Sequence, residues 1–421
     1  MSRRCIRSHS WKFRCLGSAL GLLLIAAVLR AEDPRIAVIT TVWYQNSHAD
    51  VLAGRLLEGY TLDDQPPFPR LKLASLYVDQ KPKNDKSEAL AQKHGFPVFD
   101  SPTKALTLGG DKLAVDGVLL IAEHGKYPES PTGSIQYPKR RMFAELFEVF
   151  RRSGRVVPVF CDKHLADAWE DVDWIATNAR DLKVPLMAGS SLPGLWRYPP
   201  ADVERDAPLK EIVACSYHRL DTYGFHALEF VQALAERRAG GETGVKQIRC
   251  LEGAAVWKAA DDGVFDEKLL NEAVARFKER PLPAGKTARD VVQKPVLFVM
   301  DYNDGLRASV LTMDGSNVEW AAAWRYADGK RGSTLFWTQE ARPFQHFGFL
   351  LAGVEQMMHT GKPTWPAERT VLTSGALDFL LQSKLRGGEA IATPQLKIEY
   401  KSDWNWREPP APPRNRPLDG R

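Results

Sequence analysis

Residues 115–122, Val-Asp-Gly-Val-Leu-Leu-Ile-Ala, form an apolar run broken only by one aspartate and one glycine. A strand with one wet face alternates apolar and polar residues. A continuous run belongs to a strand buried on both sides, which calls for a parallel sheet sandwiched between helices. The neighbouring segments keep that rhythm. Residues 35–41, 71–78, 156–161 and 184–188 read as further strands, five in all, and residues 47–60, 87–94, 140–153 and 165–182 as the helices between them. Strands alternating with helices predict a Rossmann-like, doubly wound α/β domain over residues 35–190.

The second half has a different rhythm. Strands are expected at residues 210–217, 245–253, 296–302, 308–312, 318–326 and 333–338, with helices at 224–239, 267–279, 344–358 and 374–384 and a last short strand at 396–400. Long alternating strands interspersed with helices predict a C-terminal α+β domain over 191–400, with a mostly antiparallel sheet covered on one face. Residues 401–421 hold Pro409, Pro410, Pro412, Pro413 and Pro417 and read as an extended, mobile tail. Asp301-Tyr302-Asn303-Asp304-Gly305 is short of the later ligands of a calcium loop and reads as a hairpin turn. Trp320 and Trp324 read as sheet packing, with sugar stacking as the other use of such residues.

The chain carries 57 Lys+Arg against 52 Asp+Glu, a formal +5, and is 44% hydrophobic and 26% charged. That balance excludes a disordered polymer, a collagen-like repeat and a polytopic membrane protein. Six of the basic residues (Arg3, Arg4, Arg7, Lys12, Arg14 and Arg30) lie in residues 1–31, which have no acidic residue. The remainder is then 51 basic against 52 acidic, so the positive charge describes the leader and not a polyanionic partner; no basic patch interleaved with aromatics points to nucleic acid. A basic start and an apolar run over 16–29, too short to cross a membrane, read as a signal peptide at 1–31. Arg3-Arg4 also fits a twin-arginine export signal. The expected location is periplasmic or extracellular, with membrane contact only through an uncleaved leader. Without the leader three cysteines remain, Cys161, Cys215 and Cys250, too few for a disulfide framework.

In an open α/β sheet, ligands bind beyond the carboxyl ends of the strands. Polar side chains collect there: Asn46, Ser47 and His48 after the first strand, Asp79 after the second, then Glu123 and His124, then Asp162, Lys163 and His164, and finally Ser190 and Ser191. Together they predict a small-molecule pocket. The set His48, Glu123, His124, Asp162 and His164 has the chemistry of a divalent-metal site but no ligand spacing such as H-x-x-x-H, and no metal is assigned.

The order Ser-His-Ala after the first strand, V-D-G-V-L-L-I-A, C-D-K-H-L-A and P-L-M-A-G-S-S resembles the glucose–fructose oxidoreductase, inositol dehydrogenase and MocA (Gfo/Idh/MocA) family. Glu368-Arg369-Thr370-Val371-Leu372 and Ala392-Thr393-Pro394 are similar to its closing segment. The resemblance spans about residues 35–400 and implies an NAD- or NADP-dependent oxidoreductase acting on a sugar or polyol. A glutamate-lysine-proline triplet of the family appears here as Asp162-Lys163-His164, so the lysine survives and the proline does not. His226 aligns with the histidine of a glycine-aspartate-x-x-x-histidine motif, whose aspartate position is Thr222. Asp221 is one residue out of register, a turn of ~100° on a helix. The resemblance thus implies Lys163, His226 and Asp221 as catalytic, Asn46, Ser47, His48, Asp79 and Glu123 around the cofactor, and His124, His164 and Ser190 around the substrate.

The first turn departs from the pattern. A dinucleotide fold wants G-x-G-x-x-G, because glycine lets the backbone turn tightly and approach the pyrophosphate. This chain has Ile39-Thr40-Thr41-Val42-Trp43-Tyr44-Gln45-Asn46-Ser47-His48, with no glycine. Asn46 or Ser47 could still cap a helix facing an anion, and Asp79 could still take a ribose hydroxyl. Three readings stand: hydride transfer on a sugar or polyol, a silent carbohydrate-binding protein that has lost its dinucleotide site, and metal-assisted chemistry in the histidine-rich cleft.

Overall fold

The structure, a computed structural model, describes residues 32–411. Its first half runs β1 (Arg35–Thr40), α1 (His48–Leu52), α2 (Arg55–Glu58), β2 (Lys72–Val78), α3 (Ser87–His94), β3 (Val98–Phe99), α4 (Pro102–Thr107), β4 (Gly117–Ile121), α5 (Lys139–Ser153), β5 (Val159–Asp162), α6 (Trp169–Asp181) and β6 (Leu186–Gly189). The six strands form one parallel sheet in the order β3-β2-β1-β4-β5-β6. The order reverses between β1 and β4, the place where a doubly wound sheet opens its ligand crevice.

Period-two burial explains the sheet. All five residues of β4 are buried. Val118 and Leu120 pack with Ala37 and Ile39 of β1 against Met142, Phe143, Leu146 and Phe147 of α5. Leu119 and Ile121, with Ile36 and Val38, face the opposite way. That opposite face is covered by α1 and by a helix almost 300 residues further on, α11 (Gln345–Thr360), which contributes Phe347, Leu350, Leu351, Val354 and Met357.

The second half continues with β7 (Trp196–Tyr198), β8 (Leu209–Ser216), α7 (Tyr223–Ala235), β9 (Val245–Glu252), α8 (Ala254–Asp261), α9 (Glu267–Val274), α10 (Ala288–Val291), β10 (Val296–Tyr302), β11 (Arg307–Thr312), β12 (Trp320–Tyr326), β13 (Arg331–Trp337), α11 (Gln345–Thr360), α12 (Ala367–Leu385) and β14 (Ile391–Ala392). Its eight strands form a sheet in the order β14-β9-β10-β11-β8-β12-β13-β7. Every pairing is antiparallel except β11 with β8. The sheet is covered on both faces, not on one. Ile212, Ala214, Phe298 and Ala322 pack on α7 and α12, while Val213, Leu297, Ala321 and Ala323 pack on α8, α9 and α10. The alanines of β12 make the second layer fit, because their small side chains let helices approach.

Three other expectations change. The helix expected over 47–60 is two short helices, α1 and α2. The strand expected at 396–400 is a 3₁₀ turn, Pro394–Leu396, followed by a single bridge from Tyr400 to Glu242. Residues 401–411 lack regular structure but are tied down: Arg205 donates to the Ser402 and Trp404 carbonyls at 2.7 Å each, and Trp406 Nε1 donates to Leu195 O at 2.8 Å. Residues 412–421 and the leader at 1–31 lie outside the described residues. Asp301 to Gly305 is the β10–β11 hairpin turn, and Cys161, Cys215 and Cys250 are free and buried. Among the described residues no helix is long and apolar enough to cross a membrane.

Leu351 is fully buried in the core that α11 shares with the first sheet. Leu351→Ala is expected to lower unfolding stability by about 2–5 kcal/mol in urea titrations.

Candidate functional site

The crevice beyond the carboxyl ends of β1, β4, β5 and β6 is a cavity of about 450 Å³, roofed by the start of α7, Trp320 of β12 and the segment 338–347. Asn46, His48, Glu123, His124, Lys163 and His226 all line it. Non-glycine residues with positive φ concentrate here. Of ten among the described residues, Asn46, His124, Lys163, His218 and Phe344 border this one cavity. Such strain persists where the surroundings hold the backbone in place, and it marks binding sites. Lys163 N–H donates to Gly189 O at 3.2 Å and His124 N–H to the Tyr137 hydroxyl at 3.1 Å, which pins both strand ends.

Charge enters the floor through Glu123, which is almost fully buried. Its carboxylate meets the fully buried Lys139 ammonium at 2.8 Å and Lys163 Nζ at 3.3 Å. Burial alone would raise the Glu123 pKa; the two ammonium groups outweigh it and hold the carboxylate ionised, well below its ordinary range. Lys139 also donates to the carbonyls of Asp162 at 3.1 Å and His164 at 2.5 Å. Glu123, expected beside the cofactor, is therefore the counter-ion of two lysines, and Lys163 is left at the cavity wall with protons to spare.

Two imidazoles face the cavity, each held through its Nδ1. His48 Nδ1 lies 2.5 Å from the buried Asp162 carboxylate. An ionised carboxylate only accepts, so Nδ1 is the nitrogen that carries a proton towards Asp162, and in the neutral ring Nε2 keeps its lone pair. His226 Nδ1 lies 2.6 Å from Ser190 Oγ, which already accepts from Leu192 N at 3.1 Å. Where the serine donates its proton to Nδ1, His226 presents Nε2–H. Burial, followed by the nearby Lys163 charge, pushes the His226 pKa well down, so this ring is neutral.

The other expected residues stand apart from the cavity. His164 is buried with its Nδ1 3.1 Å from Lys139 Nζ, and Ser190 is the support of His226. Asp221, expected to be catalytic, is ion-paired with Arg219 at 3.1 Å and borders a separate hollow. Asp79 accepts from Tyr77 Oη at 2.5 Å, Tyr127 Oη at 2.7 Å and Arg141, so no ribose hydroxyl finds it free. Ser47 caps α1 and is fully buried, holding Asp50 N at 3.3 Å and Tyr44 N at 3.2 Å. Lys139, Tyr137, Tyr223, Trp320 and His346 were not expected at the site. Only Trp320 carried a signal, its aromatic ring, and it stacks on Tyr223 at 5.6 Å and 15°.

The seat that the fold provides for a dinucleotide phosphate is filled by the chain itself. Trp43 is fully buried just past β1. At the five-residue α1, the buried Asp50 carboxylate accepts from Asn46 N at 2.9 Å and is paired with Lys86 at 2.7 Å and Arg342 at 2.8 Å. A carboxylate already sits where a phosphate would approach the helix start. With no glycine in the turn and Asp79 engaged, the residues present do not fit a dinucleotide in that position. Among the described residues no group of three or more His, Cys, Asp or Glu is arranged to hold a metal ion.

No family model matches the sequence, and no curated protein matches it. Solved structures do match the fold. GenD2 from gentamicin A biosynthesis, solved in complex with NAD, superposes with a TM-score of 0.55 at 12% identity, covering 86% of this chain and 96% of its own. A probable dehydrogenase from Thermotoga maritima gives 0.52 at 12%, covering 86% and 99%. A myo-inositol dehydrogenase from Corynebacterium glutamicum gives 0.51 at 13%, covering 85% and 98%. The chain shares the fold of these solved dehydrogenases.

Two outcomes are expected. Glu123→Gln leaves two buried lysines without a carboxylate and should destabilise the protein by about 3–5 kcal/mol in urea unfolding. Burial, then the Arg55 charge, pushes the His346 pKa to about 3, against ~6.5 unfolded. The unfolded chain thus binds the extra proton, and stability present above about pH 6.5 is lost as pH falls towards 3. His346→Gln should lose about 2 kcal/mol less than the parent between pH 7 and pH 5.

Proposed function

We propose that this protein is an enzyme built on an oxidoreductase fold, binding a sugar or polyol in the cleft between its two sheets and moving protons on it. The observation that carries this reading is the convergence of Lys163, His226 and His48 on one polar, aromatic-walled cavity. Lys163 supplies a fixed positive charge for a developing oxyanion, and His226 offers Nε2–H to a substrate oxygen. The Tyr223–Trp320 pair gives a face on which the apolar side of a sugar ring can lie. A small polyhydroxylated substrate is in keeping with the volume and with the myo-inositol dehydrogenase among the fold's neighbours.

The neighbours support a second reading, hydride transfer between a nicotinamide and the same substrate, since GenD2 was solved with NAD. Trp43 and Asp50 stand against it. The leader supports export to the periplasm or outside the cell, which would give a mature chain beginning near Glu32.

Calorimetry with a panel of sugars and polyols should find saturable binding that Lys163→Ala weakens at least about tenfold, a loss of ~1.4 kcal/mol. NAD and NADP are expected to give no saturable heat up to millimolar concentration. Saturable dinucleotide binding would restore the hydride reading, and the absence of binding by any sugar or polyol would remove the substrate assignment.

A further inference from the structure

The mouth of β1 lies at the sheet's topological switch point, where the fold opens its ligand crevice. In this chain that corner presents a base. His48 stands on the first turn of α1, its ring held edge-on by His124 at 5.0 Å and Phe347 at 4.9 Å. Asp162, at the end of β5, fixes the ring from behind at 2.5 Å. The Asp162 side chain is 1% exposed and that of His48 13%, so the carboxylate is sealed and the imidazole reaches the cavity. A histidine oriented by a buried carboxylate, with Nε2 unprotonated and turned to a pocket, is the arrangement of a general base.

We infer that His48 is the catalytic base of a redox-neutral reaction on the carbonyl form of a sugar, positioned by Asp162. The inference rests on the reading of the cleft as a sugar or polyol site and adds the reaction class. His48 Nε2 takes the proton from the carbon beside the substrate carbonyl. The C–H electron pair becomes the C=C bond of an enediol, and the carbonyl π pair moves to oxygen, which takes the Nε2 proton of His226 beside the Lys163 charge. The proton on His48 then returns to the other carbon. The hydroxyl on the first carbon becomes the new carbonyl and gives its proton to His226. Both imidazoles end as they began, and no electrons are gained or lost, so no dinucleotide is required. Aldose–ketose isomerisation follows when the proton changes carbon, and solvent exchange without net change when a proton returns to the carbon it left. The exchange needs one ring empty at Nε2 and the other loaded, and the Nδ1 contacts of His48 to Asp162 and of His226 to Ser190 provide for that pair of tautomers.

The test is proton exchange in D₂O, followed by NMR on a panel of aldoses, ketoses and ketoinositols with the full chain, while saturation transfer reads binding in the same tubes. The expected result is deuterium at the carbon beside the carbonyl of at least one sugar. His48→Gln should slow it at least about 100-fold with binding retained. Free imidazole should restore part of the rate to His48→Gly, a rescue that a merely structural histidine would not show. Asp162→Asn should keep binding and lower the exchange rate while shifting its pH profile. A sugar that binds without exchanging, or exchange that survives His48→Gln unchanged, would overturn this inference and leave the binding site standing. Absence of binding across the panel would remove both.

Discussion

One buried carboxylate organises this molecule. Glu123 leaves the end of β4 with its two oxygens turned to Lys139 and Lys163. An unpaired charge at that depth would cost several kcal/mol, so the three groups are mutually obligatory. Lys139, at the first residue of α5, reaches the Asp162 and His164 carbonyls and so ties the helix to the ends of β4 and β5. The same contacts set the backbone that carries Lys163 and Asp162 to the cavity. The geometry of the candidate acid–base groups is a consequence of where Glu123 sits.

How much of this could be read from residues differs between sheet and site. The first sheet was legible because burial on both faces leaves an unbroken apolar run at 115–122, and because ligands gather at strand ends. That rule located Asn46, His48, Glu123, His124 and Lys163 without reference to their partners. It could not say which of them touch the cavity and which hold the others in place. Glu123 and Ser190 look like ligand groups in sequence and are supports in space. Lys139 was illegible: a lysine opening an amphipathic helix beside Arg140 and Arg141 reads as a solvated charge, and only tertiary packing buries it. The second covering layer on the eight-stranded sheet was missed because the alanines of β12 carry little periodic signal. Asp221, which the resemblance places in the catalytic set, precedes α7 and is paired with Arg219 instead.

The first turn shows a fold keeping its architecture while changing what occupies its crevice. Lys86, Asp50 and Arg342 satisfy one another where a phosphate would otherwise be drawn, and Arg342 pairs onward with Glu58. These contacts lock the loop before α11 onto the first turn, so the entrance is shaped by internal ion pairs. The left-handed backbone at His124 and Lys163 adds strain of about 1–3 kcal/mol per residue, which the hydrogen bonds to Tyr137 and Gly189 sustain.

The return of α11 to the first sheet has a bearing on how the chain is made. Strand β1 and its covering helix are separated by most of the polypeptide, so the first sheet keeps one apolar face open until synthesis has passed residue 360. Its contacts are among the most distant in sequence, which slows their formation and leaves the nascent first half in need of protection from association. The halves are therefore partners in a single late event, and cutting the chain between its two sheets would leave an unfinished surface on the N-terminal piece.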